Sequence, residues 1–298
     1  MLLCRASVGK GVFMLSKEIK KNTVVLCWVI FLLLIFVHGF EAIFLKTDET
    51  FFGENFINKL FGIAVVFILL RYLNWRWSDI GFKRIGFVKN VGLGILLAIC
   101  SFIISYGVEI ALLKTQGYDA GFGIFTTSFS LTGETVVHSG LGFILMCIFF
   151  NIINVVMEEG AFRGIIYQIV AIDHSLKYAL FFQAFLFGVW HIVTPIHNLI
   201  DGDINLESFI TLSIIYIILA GMMGIKWGLL YRMTGSLYAG MADHFFNNCI
   251  ATNLLHVITV NGVDEMMIVR VVIAQLISFV VVFLVWKKRE KSGVSFEK

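Results

Sequence analysis

Charge and proline are what this sequence has least of. Of its 298 residues only 14% are Asp, Glu, Lys or Arg, against roughly a quarter in a soluble globular domain. With 59% hydrophobic residues, that balance suits lipid and excludes an ordinary soluble fold. The single proline, Pro195, leaves the apolar runs almost uninterrupted. Cysteine is sparse and scattered: Cys4, Cys27, Cys100, Cys147 and Cys249 contain no CxxC pair, which argues against a thiolate zinc site or a disulfide framework and leaves them as small core residues. A cleavable signal peptide is also missing. The first apolar run begins near Thr23 and lacks a short apolar region ending in small residues, so it reads as a signal anchor. The segment before Met14 carries no usable pattern, and Met14 is itself a candidate start. The net charge of +3 does not signal nucleic acid, because the basic residues stand in short segments between apolar runs, where they act as topology signals. No repeat, low-complexity tract or flexible linker divides the chain.

What is present is a series of apolar stretches long enough to cross a hydrocarbon core roughly 30 Å thick. They fall at 22–44, 56–72, 88–113, 135–157, 178–194, 208–225, 233–256 and 271–286. The prediction is an all-α, polytopic membrane helix bundle of about eight transmembrane helices, forming one domain over residues 1–298. The second run is the weakest, since Lys59 and Arg71 shorten its uncharged centre, although both can snorkel. Loop charges alternate as the positive-inside rule requires. Arg5, Lys10, Lys17, Lys20 and Lys21, then Arg71, Arg76, Lys83, Arg84 and Lys89, then Arg163 and Lys177, then Lys226 and Arg232, then Lys287, Lys288, Arg289 and Lys291 fall on one side. Both termini, the segment 1–21 and the tail 287–298, are therefore predicted cytoplasmic. The intervening loops carry Asp48, Glu49 and Glu54, Asp119 and Glu134, Asp201, Asp203 and Glu207, and Asp264 and Glu265, and face outside. Residues 79–89 mix basic and apolar side chains and read equally as an interfacial amphipathic segment or a plain loop.

Ionisable groups at bilayer depth are costly, so they mark functional sites. Here they gather in three helices. In NIINVVMEEGAFRG, Asn151, Asn154 and Glu158 are spaced i, i+3, i+7 and stack on one face. Glu159 points about 100° away and meets Arg163 at i+4, the order that suits an ion pair. In FLFGVWHIVTP, Phe187 and His191 share a face, and Pro195 disrupts the helix one turn later. In GSLYAGMADHFFNN, His244 and Asn248 share a face, with Asp243 and Asn247 as a second pair beside them. At about 1.5 Å per residue, His191 lies about 20 Å in from Lys177, Glu158 about 20 Å from an exit near Ala171, and His244 about 15 Å from an entry near Gly235. Acid, imidazole and amide thus reach similar depth, which suits one buried pocket open to the cytoplasm. A buried glutamate with an imidazole can deprotonate water, making Glu158 and His191 the water-activating pair. His244 and Asn248 can donate to the oxyanion formed when water attacks a peptide carbonyl.

Glu158-Glu159-x-x-x-Arg163, Phe187-x-x-x-His191 and His244-x-x-x-Asn248, in that order within membrane spans, resemble the CAAX-protease and bacteriocin-processing family, also called CPBP or Abi. Each motif alone is weak, but the ordered set is specific. The resemblance covers about 79–255 and leaves the first two spans and the last outside the motif region. It implies an all-helical intramembrane endopeptidase of the type II CAAX prenyl endopeptidase kind. Glu158 and His191 would activate water, His244 and Asn248 would form the oxyanion hole, and Glu159 and Arg163 would fill supporting positions. It also implies a peptide or membrane-tethered protein substrate, with the lipid bilayer as surroundings; the placement of the basic residues leaves no nucleic-acid partner, and the abundance of Ile, Phe, Lys and Asn points to a multi-pass place in a bacterial plasma membrane. Two cofactor readings stay open. Glu158, His191 and His244 could supply the two-His, one-carboxylate set of a catalytic zinc, although HExxH is absent, or the glutamate could act without metal, as the resemblance favours.

Competing readings are inter-helix hydrogen bonding alone, a non-proteolytic regulatory or bacteriocin-immunity protein of the same family, and a transporter or proton relay, for which no inverted repeat is visible. His38, His138, His174, His197 and His256 read as interfacial. Glu41 and Glu109 read as structural groups snorkelling at span ends. Trp75, Trp77, Trp227 and Trp286 read as interface belts, and Asp243 and Asn247 as cavity lining.

Overall fold

The computed structural model describes residues 22–127 and 137–292. The basic segment 1–21, with Cys4 and Met14, the residue Glu134, the start of the fourth apolar run and the last six residues of the tail lie outside the described residues. The rest is helical, as the apolar runs require, because in lipid each backbone amide must find its partner within the segment. The helices are α1 (Thr23–Leu45), α2 (Ile57–Tyr72), α3 (Phe87–Thr115), α4 (Leu141–Val170), α5 (Leu176–Trp190), α6 (Val193–Asp201), α7 (Leu206–Thr234), α8 (Tyr238–Phe245) and α9 (Met267–Lys291). Among the described residues six stretches are long and apolar enough to cross a membrane: α1, α3, α4, α5 with α6, α7 and α9. The chain is an all-α, polytopic membrane bundle. The second and seventh predicted spans are shorter than expected. α2 has 16 residues, and α8 has 8, extended by a seven-residue π-helix, Phe246–Thr252.

Local chemistry sets the helix ends. Ser175 and Asn205 accept from Tyr178 N and Ser208 N to cap α5 and α7, and α7 stops at Gly235, whose φ of 64° suits glycine. Glu41 does not snorkel. It is fully buried and caps the start of α2, accepting from Ile57 N (2.8 Å) and Asn58 N (2.5 Å). α5 breaks at His191–Ile192 rather than after Pro195. A proline has no N–H to return to the carbonyl four residues earlier, so the backbone bond to His191 is the one lost.

The seventh predicted run, to 256, is helical only to Thr252. Its end forms strand β4 (Leu255–Ile258), antiparallel to β1 (Gly121–Ile124) with Gly121 opposite Ile258. A second two-stranded piece pairs β2 (Thr126–Thr127) with β3 (Val137–His138). His256 is accordingly buried, not interfacial. Of the 79–89 segment, residues 79–86 are a loop docked by Ile80, which is fully buried beside Gly164, and 87–89 open α3. α5 and α7 pack closely: a Cβ on Gly188 would lie 2.5 Å from Ile217 O, the small-residue contact typical of membrane helices. The core gathers Phe162, Phe187, Trp190 and Trp227, while Phe36, Ile103, Ile218 and Leu284 stay exposed on the outside of the bundle, as a lipid-facing surface should.

Candidate active site

The site is built on α4, α5 and α8. Within α4 the winding changes from α to π over Glu159–Ile166, a local device common at functional sites. Asn151, Asn154, Glu158, Glu159 and Arg163 are all buried. The expected Glu159–Arg163 pair is present, with Nη1 3.3 Å from Oε1. Arg163 is therefore not a loop residue. Its guanidinium lies 3.9 Å over the Phe187 ring and 5.1 Å from that of Trp227, a cation–π sandwich.

Across the site, His244 Nδ1 donates to Glu159 Oε1 (3.0 Å). A carboxylate only accepts, so this contact assigns a proton to Nδ1, and in the neutral ring Nε2 is then the acceptor. Asn248 Nδ2 meets that nitrogen at 3.2 Å, and Glu158 Oε2 lies 3.4 Å from it. Trp190 Nε1 donates to Glu158 Oε1 (3.1 Å), while Oε2 has no hydrogen-bond partner. His191 sits at the broken end of α5, half-buried, where Nδ1 donates to Phe187 O (2.8 Å) and Nε2 is left as an acceptor. Phe187 bridges the two imidazoles, its ring centroid 4.7 Å from His191 and 6.2 Å from His244. Direct contacts thus join Glu158, Glu159, Arg163, His244 and Asn248. His191 joins them through Phe187, with no hydrogen bond to Glu158 among the described residues.

Residues 140–250 match the family model Type II CAAX prenyl endopeptidase Rce1-like. The matched segment holds all seven motif residues, so the resemblance to the CAAX-protease family is borne out over that segment, and the family is one of proteases. No curated protein and no solved structure matches the chain.

Around this Rce1-like segment stand residues that sequence reasoning misplaced. Trp227 is buried and stacks on His244 at 3.9 Å and 15°, rather than belonging to an interface belt. Lys226 is likewise buried inside the bundle, not in a cytoplasmic loop, because α7 runs nine residues past the predicted end at Ile225. Asp243 is no cavity lining. It accepts from Lys226 Nζ (2.5 Å) and Trp227 Nε1 (2.7 Å). Asn247 bonds Gln275 of α9 (2.8 Å), so the last span, outside the motif region, reaches the site. His38 of α1 stacks on Trp190 at 4.2 Å. The available signal for α9 was Gln275 and Ser278, polar at i and i+3 in an otherwise apolar run.

The donors for a zinc do not gather as placed. Among the described residues the one group whose ligand atoms all lie within 4.8 Å is Glu49, His197 and Asp201. Lys46 already sits between two of its members, 3.1 Å from Glu49 and 2.5 Å from Asp201. Glu158 and His244 approach each other, but His191 does not complete their set, and both His244 nitrogens already have partners.

Proposed function

We propose that the protein is an intramembrane endopeptidase that hydrolyses a peptide bond without a metal. The observation that carries this is Glu158: buried, held at one oxygen by Trp190 and open at the other. A water accepted between Glu158 Oε2 and the His191 Nε2 lone pair donates a hydrogen to each. As its oxygen attacks the scissile carbonyl carbon, Glu158 takes the proton. The developing oxyanion accepts from the second amide hydrogen of Asn248, the first being held by His244 Nε2. Collapse of the tetrahedral intermediate breaks the C–N bond, and Glu158 returns the proton to the leaving amine. Glu159 and Arg163 hold the His244 ring in the required tautomer. The substrate is a peptide or membrane-tethered protein, with a prenylated C-terminal peptide as the class to test first, given the matched family. Lys83, Arg84, Lys89, Lys287 and Arg289 favour a cytoplasmic placement for both termini in a bacterial plasma membrane.

The test is cleavage of a farnesylated and an unprenylated reporter peptide by purified protein in proteoliposomes, with and without a zinc chelator. Wild type should cleave with the chelator present and Glu158→Gln should not. Equal cleavage by the variant would sink the reading, and chelator-sensitive cleavage would sink its metal-free form.

A further inference from the structure

Lys226, Gln275 and Asn247 take no part in the chemistry above, yet all are buried and joined head to tail. The Lys226 ammonium donates to Asp243 Oδ2 (2.5 Å), Gln275 Oε1 (2.5 Å) and Ser278 Oγ (2.9 Å), which uses all three of its hydrogens. Gln275 Nε2 donates to Asn247 Oδ1 (2.8 Å), Asn247 Nδ2 to Asn248 Oδ1 (2.7 Å), and Asn248 Nδ2 to His244 Nε2 (3.2 Å). His244 Nδ1 then reaches Glu159 Oε1 (3.0 Å). An amide can turn over with little change of shape, so its direction must be argued. Here the lysine end decides it. An ammonium can only donate, so Gln275 must turn its carbonyl to Lys226 and its NH2 to Asn247, and the same exclusion passes along each amide to Asn248. At the far end a carboxylate can only accept, so His244 donates from Nδ1, and the neutral ring accepts at Nε2 from the Asn248 NH2, in keeping with that polarity.

We infer that Lys226 and Gln275 are positioning residues that orient the Asn248 amide. The relay from α7 through α9 to α8 keeps the NH2 of Asn248 on the His244 side, with one hydrogen bound and the other free to meet an oxyanion. Turned over, Asn248 would present lone pairs to developing negative charge. The same ammonium fixes the ring behind His244, since its partner Asp243 also accepts from the Trp227 indole that stacks on that ring. This gives a buried lysine, costly at such a place, a function that packing alone does not supply. The inference rests on the hydrolytic reading for its consequence, though not for its geometry.

The decisive variant is Gln275→Glu, which exchanges one NH2 for an oxygen. The introduced carboxylate still accepts from Lys226 but cannot donate to Asn247. Asn247 then turns its NH2 toward position 275, and Asn248 turns over in response. kcat should fall about 10²-fold, the typical loss for one oxyanion donor, with KM within about twofold. Gln275→Met, which removes both bonds and leaves Asn247 and Asn248 free to choose, should cost less than Gln275→Glu. A merely structural glutamine predicts the reverse order. In an Asn248→Ala background Gln275→Glu should add nothing further. If Gln275→Glu does not fold, Asn247→Asp breaks the same polarity one link on. Wild-type-like kcat in Gln275→Glu, a larger loss in Gln275→Met, or an undiminished loss in the Asn248→Ala background overturns the relay and leaves the hydrolytic reading standing. If wild type cleaves nothing, that reading fails instead. The relay is then judged by ¹⁵N NMR of histidine-labelled protein at fixed pH. An accepting His244 Nε2 in wild type that becomes an N–H in Gln275→Glu upholds it, and an unchanged nitrogen overturns it.

Discussion

Two regions of this molecule each join two carboxylates, an arginine and a histidine, and put them to opposite use. At the site His244 lies between Glu158 and Glu159, and Arg163 pairs with Glu159. Near the β1–β4 pair, Glu109 and Asp264 share Arg270, and His256 pairs with Asp264. The second group is nearly closed, with Glu109 Oε1 and Arg270 Nε left without a hydrogen-bond partner. Arg270 donates to Glu109 Oε2 (2.8 Å), Asp264 Oδ1 (2.9 Å) and Ala251 O (3.1 Å). His256 lies between Asp264 Oδ2 (2.6 Å) and Phe125 O (3.0 Å). Its groups tie α3, β4 and α9 together, and Glu109 is a structural residue, buried rather than snorkelling. At the site Arg163 makes no hydrogen bond through Nε, Nη1 or Nη2, and one oxygen each of Glu158 and Glu159 has no partner. Arg163 is held by aromatic faces instead. A cluster whose arginine is spent on two carboxylates and a backbone carbonyl is a clamp, while one whose arginine rests on aromatic faces, with an unspent oxygen on each carboxylate, is free to bind a polar group.

The contrast can be broken by mutation. The largest effect is expected from Glu158→Gln, which should lower cleavage by about 10²- to 10⁴-fold with a nearly unchanged melting temperature. Glu109→Gln should show the opposite profile, lowering the melting temperature with little change in activity per folded molecule. Next comes Arg270→Met, which strands the buried Glu109 and the partly buried Asp264 and should cost about 3–5 kcal/mol in denaturant unfolding in detergent. Arg163→Lys should lower kcat by about tenfold, because an ammonium cannot lie flat on Phe187 and still reach Glu159; a wild-type rate would argue that the stacking is incidental.

A smaller effect depends on pH. Burial by itself would raise the Asp264 carboxyl, but the hydrogen bond from His256, the charge of Arg270 and the Val257 N–H hold it below the usual carboxylate range. Its ionised form is favoured by folding. The contribution is therefore complete above the ordinary value near about 4 and lost as pH falls through the lower folded value. The difference in melting temperature between wild type and Asp264→Asn should shrink on going from neutral pH into that acidic range. The smallest effect is expected from oxidative cross-linking of Cys147 on α4 to Cys249 beyond α8, whose sulfurs lie 4.0 Å apart. The bond should form readily and leave cleavage within about twofold, since a move of about 2 Å closes it.

Much of this was legible in the residues themselves. The long apolar runs, the Glu159–Arg163 pair and the Glu158, His191 and His244 depth match rest on helical spacing, which is local. The failures share a cause. Lys226 at the end of an apolar run reads as a boundary, and Trp227 beside it as a belt residue, because one-dimensional reading cannot see that α7 continues into the bundle. The run to 256 carries no turn signal of glycine or proline after Gly240, so nothing in it separates the helix ending at Thr252 from strand β4, whose partner lies across the fold in β1. The π-helical winding of α4 leaves no mark in composition.

By itself, then, the sequence determined that the chain lives in lipid and which helices carry acid, imidazole and amide, since apolar length and i, i+4 spacing act within a few turns. Only the tertiary structure decided which way each hydrogen bond runs. The direction of the Asn248 amide depends on a cation on α7 and a carboxylate on α4, groups joined only when α4, α7, α8 and α9 pack together.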